Sequence, residues 1–96
     1  MIISFADKTT EDIYNGHDSK AARKIPMVIW QTAQRKLDML NAAAELKDLR
    51  IPPANRLEKL KGSLAEFYSV RINDQYRIIF RWIDNNAHDV KITDYH

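Results

Sequence analysis

Between Tyr68 and Arg81 the chain reads YSVRINDQYRIIFR, with apolar residues at every second position on both sides of a short polar spacer. Tyr68, Val70 and Ile72 alternate with Ser69 and Arg71. Tyr76, Ile78, Phe80 and Trp82 alternate with Arg77, Ile79 and Arg81. Two β-rich runs of this period predict an antiparallel hairpin. The pattern also fixes the register, because a slip of one residue moves every side chain to the other face. A two-residue turn at Asn73-Asp74 sets Val70 against Arg77. The odd connection Asn73-Asp74-Gln75 sets Ile72 against Tyr76 and Val70 against Ile78. The second gives one continuous apolar face and is the expected one. Asn and Asp tolerate the left-handed backbone such a turn can require.

This register places Arg71 directly opposite Arg77 on the polar face. Like charges in that position destabilise a sheet by roughly 0.2–1 kcal/mol. A functional reason for the pair is a seat for an anion, most simply a phosphate, which suits the planar guanidinium fork. The structural reason is that both stems reach water, or that carboxylates elsewhere neutralise them.

The 96 residues are enough for one domain, 1–96. With no cysteine, disulfides and cysteine metal sites are excluded, which fits a reducing cytosol. No apolar run approaches the roughly 18 residues of a membrane span, and a secretory signal is not expected at the N-terminus. The net charge of +2 is mild, so affinity for nucleic acid has to come from clustered charge.

Met1–Phe5 is short, apolar and β-branched, and predicts a strand. Ala6–Asn15 predicts a short helix, and Gly16–Arg23 a loop. In that loop His17 has no partners at metal-ligand spacing. Pro26–Leu49 is the longest periodic segment. Ile29, Ala33, Leu37, Leu40 and Ala44 form a helical stripe, and three alanines at 42–44 favour its continuation. Pro52 and Pro53 have to end it. Asn55–Gly62 predicts an irregular strand. Asp84-Asn85-Asn86 signals a turn before a last strand, Ala87–His96, with Val90 and Ile92 on one face. No repeat or linker interrupts the chain. The order predicts an α+β fold, with an antiparallel sheet and the N-terminal helices packed on one face.

The sequence carries no Gly-rich phosphate loop, zinc motif or serine nucleophile motif. Its reactive groups are Arg71, Arg77, Lys61, Glu58, Asp94, Tyr95 and His96. A base, an acid and several cations suit phosphoester chemistry. In RNA a 2′-hydroxyl can attack the adjacent phosphate with no cofactor and no metal, given a base, a cation for the transition state and an acid for the leaving oxygen.

Three blocks, Asp48–Gly62 (DLRIPPANRLEKLKG), Ser69–Trp82 (SVRINDQYRIIFRW) and the terminal Asp94–His96 (DYH), resemble the HigB toxins of the RelE/ParE superfamily. Met39–Leu49 (MLNAAAELKDL) is similar too, so the resemblance spans nearly the whole chain. It implies the compact RelE-like fold and a ribosome-dependent endonuclease that cleaves mRNA in the A site of the small subunit. It also implies a partner, the helix-turn-helix antitoxin HigA, through which alone DNA is contacted, and no membrane. By position, Arg77 matches a phosphate or transition-state ligand. Asp94, Tyr95 and His96 match the C-terminal catalytic cluster, and Lys61 matches the lysine before the glycine of LKG. Arg71, Arg56 and Lys59 are expected to bind RNA phosphate. Some relatives carry a histidine where this chain has Glu58, which removes one group able to be cationic near neutral pH. Glu58 can serve as a base unless Arg56 and Lys59 pair with it.

Strand parity sets Tyr95 with Lys91 and Thr93, but Asp94 and His96 with Val90 and Ile92. The end of the last strand is therefore expected either to twist or to wrap the sheet edge. Arg77→Ala is expected to keep the fold, with stability equal or slightly higher. Two other functions fit the same chain: a non-catalytic ParE-like inhibitor that binds a protein such as gyrase, and a nucleic-acid-binding accessory domain.

Overall fold

The computed structural model describes residues 1–94. Its centre is a four-stranded antiparallel sheet in chain order: β1 (Glu58–Lys59), β2 (Phe67–Arg71), β3 (Tyr76–Ile83) and β4 (Asn86–Asp94). The helices are α1 (Lys8–Tyr14) and α2 (Trp30–Ala42).

The β2–β3 hairpin has the odd connection, with Val70 opposite Ile78 and Arg71 opposite Arg77. No left-handed residue is needed in it. Asn73 Oδ1 accepts from the backbone N–H of Gln75 at 2.9 Å and of Tyr76 at 2.7 Å, closing the turn with a side chain. The left-handed pair lies instead between β3 and β4. Asp84 (φ 51°) and Asn85 (φ 61°) form a two-residue loop closed by Ile83 opposite Asn86, and this twist matches that of the flanking strands.

One face of the sheet carries the core. Ile78, Phe80, Val70, Val90 and Ile92 meet Leu37, Leu40 and Ala33 of α2 and Ile13 of α1. A bulge in β4 keeps that face continuous. Asp89, at φ 53°, is the extra residue between the pairs Ile79–Lys91 and Arg81–His88, so both Val90 and Ala87 point inward. Asp7 caps α1 by accepting from Thr10 N–H, and Thr10 Oγ1 accepts from Ile92 N–H, pinning α1 to β4.

Three expectations change. Met1–Phe5 is not a full strand but makes two isolated parallel bridges to β4, Ile2–Ala87 and Phe5–Val90. The long helix begins at Trp30 and ends at Ala42, after a 3-10 turn at Met27–Ile29. Ala43 turns extended, Glu45 and Asp48 form a reciprocal capping box, and Leu46–Arg50 is a separate 3-10 helix. That box satisfies backbone donors a continuous helix would have used internally. Burial moves from Ala44, which is exposed, to Ala43 and Leu49. The irregular strand after the prolines shrinks to Glu58–Lys59, behind a 3-10 turn at Pro53–Asn55.

Candidate phosphate-binding face of the sheet

The face opposite the core follows from the register. Arg71, Arg77 and Thr93 form one row across it. Glu58, Ser69, Ile79 and Lys91 form the next, and Phe67, Arg81 and His88 the third.

Arg77 is the anchor of this face and is only 9% exposed. Its Nε donates to Ser69 Oγ at 2.8 Å, and Nη2 donates to the Arg56 carbonyl at 2.7 Å. The Glu58 carboxylate lies 3.6 Å from Nη2. Arg56 reaches this position by adopting a left-handed backbone, φ 45° and ψ 53°, at the end of the Pro53–Asn55 turn. Asn55 holds the turn. It is 1% exposed, donates to the Leu49 carbonyl at 3.1 Å, and accepts from Lys36 Nζ at 2.5 Å. Burial, and then Arg35 and Arg71, push the Lys36 ammonium below its usual range.

The opposed arginines are each compensated. Arg71 pairs with Asp74 of the turn, and Arg77 with Glu58. Carboxylate neutralisation, the structural reading of the pair, is thus present, and it stands beside the phosphate reading. Arg81 adds a third guanidinium, 3.2 Å from Asp89 and 3.8 Å from Glu66.

Burial of Arg77 revises the expectation for Arg77→Ala. The substitution removes the partner of Ser69, which is fully buried, and of the Arg56 carbonyl. A hydrogen bond to a charged group is worth about 1.5–3 kcal/mol. This exceeds the relief of repulsion with Arg71, so the variant is expected to lose stability, with a lower thermal midpoint as the measure.

Glu58, Arg71 and Arg77 come together on one face, with the backbone of Arg56. Glu58 pairs with Arg77 rather than with Arg56 or Lys59. Lys59 lies on the opposite side of β1. Its ammonium sits 5.1 Å from the Tyr68 ring centroid and donates to the Ala65 carbonyl. Lys61 is exposed at the end of β1, before Gly62, whose φ of 68° turns the chain. With Glu58 and Leu64 it lines a cavity of about 280 Å³. The ladder runs straight to Asp94, which sits opposite Tyr76 and accepts from Gln75 Nε2 at 3.0 Å. Its parity is therefore that of Val90 and Ile92. Tyr95 and His96 lie outside the described residues. Sequence reasoning missed Ser69 and Asn55. The alternation that puts Ser69 on the arginine face was the available signal for the first. The second has none, because its partners, the Leu49 and Ile51 carbonyls and the Lys36 side chain, come from a turn and a helix that local pattern does not bring together.

Fold and face together define a small α+β domain with a buried guanidinium on the sheet face opposite its core. The solved structures it is similar to include the YoeB-YefM complex from Staphylococcus aureus, with a TM-score of 0.61 and 18% identity over 100% of this chain and 98% of that one. A YoeB dimer from the same organism gives 0.57 and 21%, over 99% and 97%. At these identities the likeness is one of fold. Residues 3–96 match the family described as the RelE-like toxin of type II toxin-antitoxin system HigB. Toxin HigB-1 of Vibrio cholerae serotype O1 is 47% identical over 87 residues, 91% of this chain and 90% of that one. An uncharacterized protein of Haemophilus influenzae is 42% identical over 67 residues, 70% and 66% of the two chains. The chain belongs to the HigB family of RelE-like toxins of type II toxin–antitoxin systems.

Proposed function

We propose that the chain is a ribosome-dependent mRNA endonuclease of the cytoplasm, held inactive by a HigA-type helix-turn-helix antitoxin. The observation that carries this reading is the Arg77 guanidinium, buried and fixed through Ser69 and Arg56 on the sheet face opposite the core. A donor fixed before the substrate arrives needs no reorganisation as charge develops on a phosphate, where such electrostatic stabilisation is largest.

The 2′-oxygen attacks the adjacent phosphorus and the 5′-oxygen leaves, giving a 2′,3′-cyclic phosphate. Arg77 binds the equatorial phosphate oxygens with Lys61 as a second catalytic cation, and Arg71 and Arg56 bind flanking charge. Lys59, turned to the other side of β1, is the weakest of the RNA-binding assignments. Glu58 accepts the 2′-hydroxyl proton from its place beside Arg77. His96 acts in proton transfer, with Asp94 and Tyr95 in the same C-terminal cluster, as the family resemblance implies. The ribosome supplies the strand in an orientation that so small a surface does not impose by itself. One of the matched structures is itself described as a toxin–antitoxin complex of YoeB and YefM, which supports an antitoxin partner here.

Primer extension on mRNA from expressing cells tests this. Discrete in-frame cuts are expected. Growth arrest with intact message and impaired gyrase would select the ParE-like reading instead.

A further inference from the structure

The face that carries Arg77 is not polar throughout. Leu60 and Ile79 are buried, yet neither belongs to the core cluster. Ile79 lies on the arginine face, one row from Arg77. Leu60 N–H donates to the Phe67 carbonyl at 2.9 Å, which continues the register of β1 and sets Leu60 against Phe67. Phe67 is half-buried, lies diagonal to Ile79, and shares its row with Arg81 and His88. Of the described aromatic residues, Phe67 alone is neither in the core cluster nor packed against it. Among the described residues its ring meets no other ring and no cation.

Cations recur along the same face. Arg71 and Arg77 share one row, Lys91 stands in the next, and Arg81 in the row of Phe67. Glu58 is the one acid in those rows, and it pairs with Arg77. Arg81 is held by Asp89 and Glu66, and its Nε is buried with no hydrogen-bond partner among the described residues. A line of cations that ends at an aromatic ring suits a single nucleic-acid strand, with charge following the backbone and the ring taking a base. An apolar protein side chain would use the ring and leave the cations unused. Phe67 is four residues along β2 from Arg71, about 13 Å at the rise of a strand. The base it takes therefore lies beyond the nucleotides joined by the scissile bond.

We propose that Phe67 is a stacking subsite for a base of the message strand that flanks the cut dinucleotide, with Lys91 and Arg81 holding the phosphates between. The inference rests on the reading of the arginine face as an RNA-cleaving site, and adds a substrate-binding residue to it. Stacking accepts any base, so the subsite gives affinity and position without reading sequence.

The test begins with NMR of the Phe67 ring protons as the purified toxin is titrated with a short 2′-O-methylated oligoadenylate, which cannot be cut. A ring-current shift is expected at Phe67, and none when the same backbone without bases replaces the oligoadenylate. Cleavage is then measured in a reconstituted translation system, on a defined message and on the same message with the bases flanking the cut dinucleotide removed one at a time. Phe67→Leu keeps apolar bulk and loses the ring, while Phe67→Trp keeps a ring, and matching thermal midpoints check both folds. Phe67→Leu is expected to raise KM about tenfold with kcat unchanged, and Phe67→Trp to cut like wild type. Removal of one flanking base is expected to cost wild type the same factor and Phe67→Leu nothing further. A Phe67 ring that does not shift with the oligoadenylate overturns the proposal, as does Phe67→Leu at the wild-type KM. Losses from Phe67→Leu and from every missing base that simply add assign the ring to ribosomal RNA or to packing, and overturn it equally. A ring that shifts as expected in a wild-type protein that cuts no mRNA contradicts the nuclease reading and leaves the stacking subsite standing.

Discussion

At the scale of single residues, Arg77 combines two demands usually kept apart. Its guanidinium is buried like a core side chain, and yet it lies on the face that a phosphate would approach. Ser69 and the Arg56 carbonyl take two of its donors and fix the fork. Arg77→Lys keeps the charge and loses that geometry. It is expected to lower the urea midpoint modestly and to lose cleavage almost entirely. Ser69→Ala keeps the guanidinium but releases Nε, so a smaller loss of rate with the same cleavage sites is expected in a ribosome-dependent assay. Asp12 is a residue of the opposite kind, remote from the face. It accepts from Ser19 Oγ at 2.6 Å and from Lys8 Nζ at 3.2 Å, tying α1 to the loop behind it. The Ser19 hydroxyl, helped by Lys8 and opposed by burial, holds its carboxyl below the usual carboxylate range. A depressed folded value means stability that is present above the unfolded pKa and lost as pH falls through the folded one. Asp12→Asn is therefore expected to be less stable than wild type near neutral pH. The gap should close below the usual carboxylate range, and urea unfolding across a pH series reads it directly.

At the scale of elements, what was legible in the sequence divides by the range of the forces involved. The β2–β3 hairpin was readable to the residue, because alternation and a short connection are local and any slip would bury Arg71 or Arg77 in the core. The end of α2 was not. Ala42, Ala43 and Ala44 all favour helix, and the stop comes from Glu45 and Asp48 capping a new turn, with Leu49 buried behind it. The N-terminal segment paired as expected of a strand only in part, since its partner β4 lies more than eighty residues away in sequence. The bulge at Asp89 had no sequence signal, because its reason is the continuity of the Val90 and Ala87 face. The turn at Asp84-Asn85 gives a direct test of the local part. Both residues are left-handed, a conformation that costs an ordinary side chain about 1–2 kcal/mol. Asn85→Val is expected to lower stability by about that much, and Asn85→Gly to hold or raise it, by thermal unfolding.

At the scale of the whole molecule, the candidate site is built by three layers of chain. The sheet supplies Arg71, Arg77 and Ser69. The Pro53–Asn55 turn, held by Lys36 of α2 through Asn55, supplies the Arg56 carbonyl. The edge strand supplies Glu58. The arginine pair was visible in the hairpin pattern, while the burial of Arg77 was not, because it depends on a turn some twenty residues distant. No helix among the described residues is long and apolar enough to cross a membrane. The face opposite the core is small and, among the described residues, offers no base-reading module, so the free protein is expected to cut naked mRNA poorly at physiological salt. Efficient, site-specific cleavage of purified RNA without ribosomes would contradict the orienting role assigned to the ribosome. The most direct measurement of the central claim is the rate of mRNA cleavage in a reconstituted translation system programmed with one defined message, comparing wild type with Arg77→Lys after both are shown folded by their thermal midpoints. Wild type is expected to cleave within the A-site codon, and Arg77→Lys to lose about a hundredfold or more of that rate, in line with removal of one preorganised donor. A folded Arg77→Lys protein that cuts the same codon at the wild-type rate contradicts it.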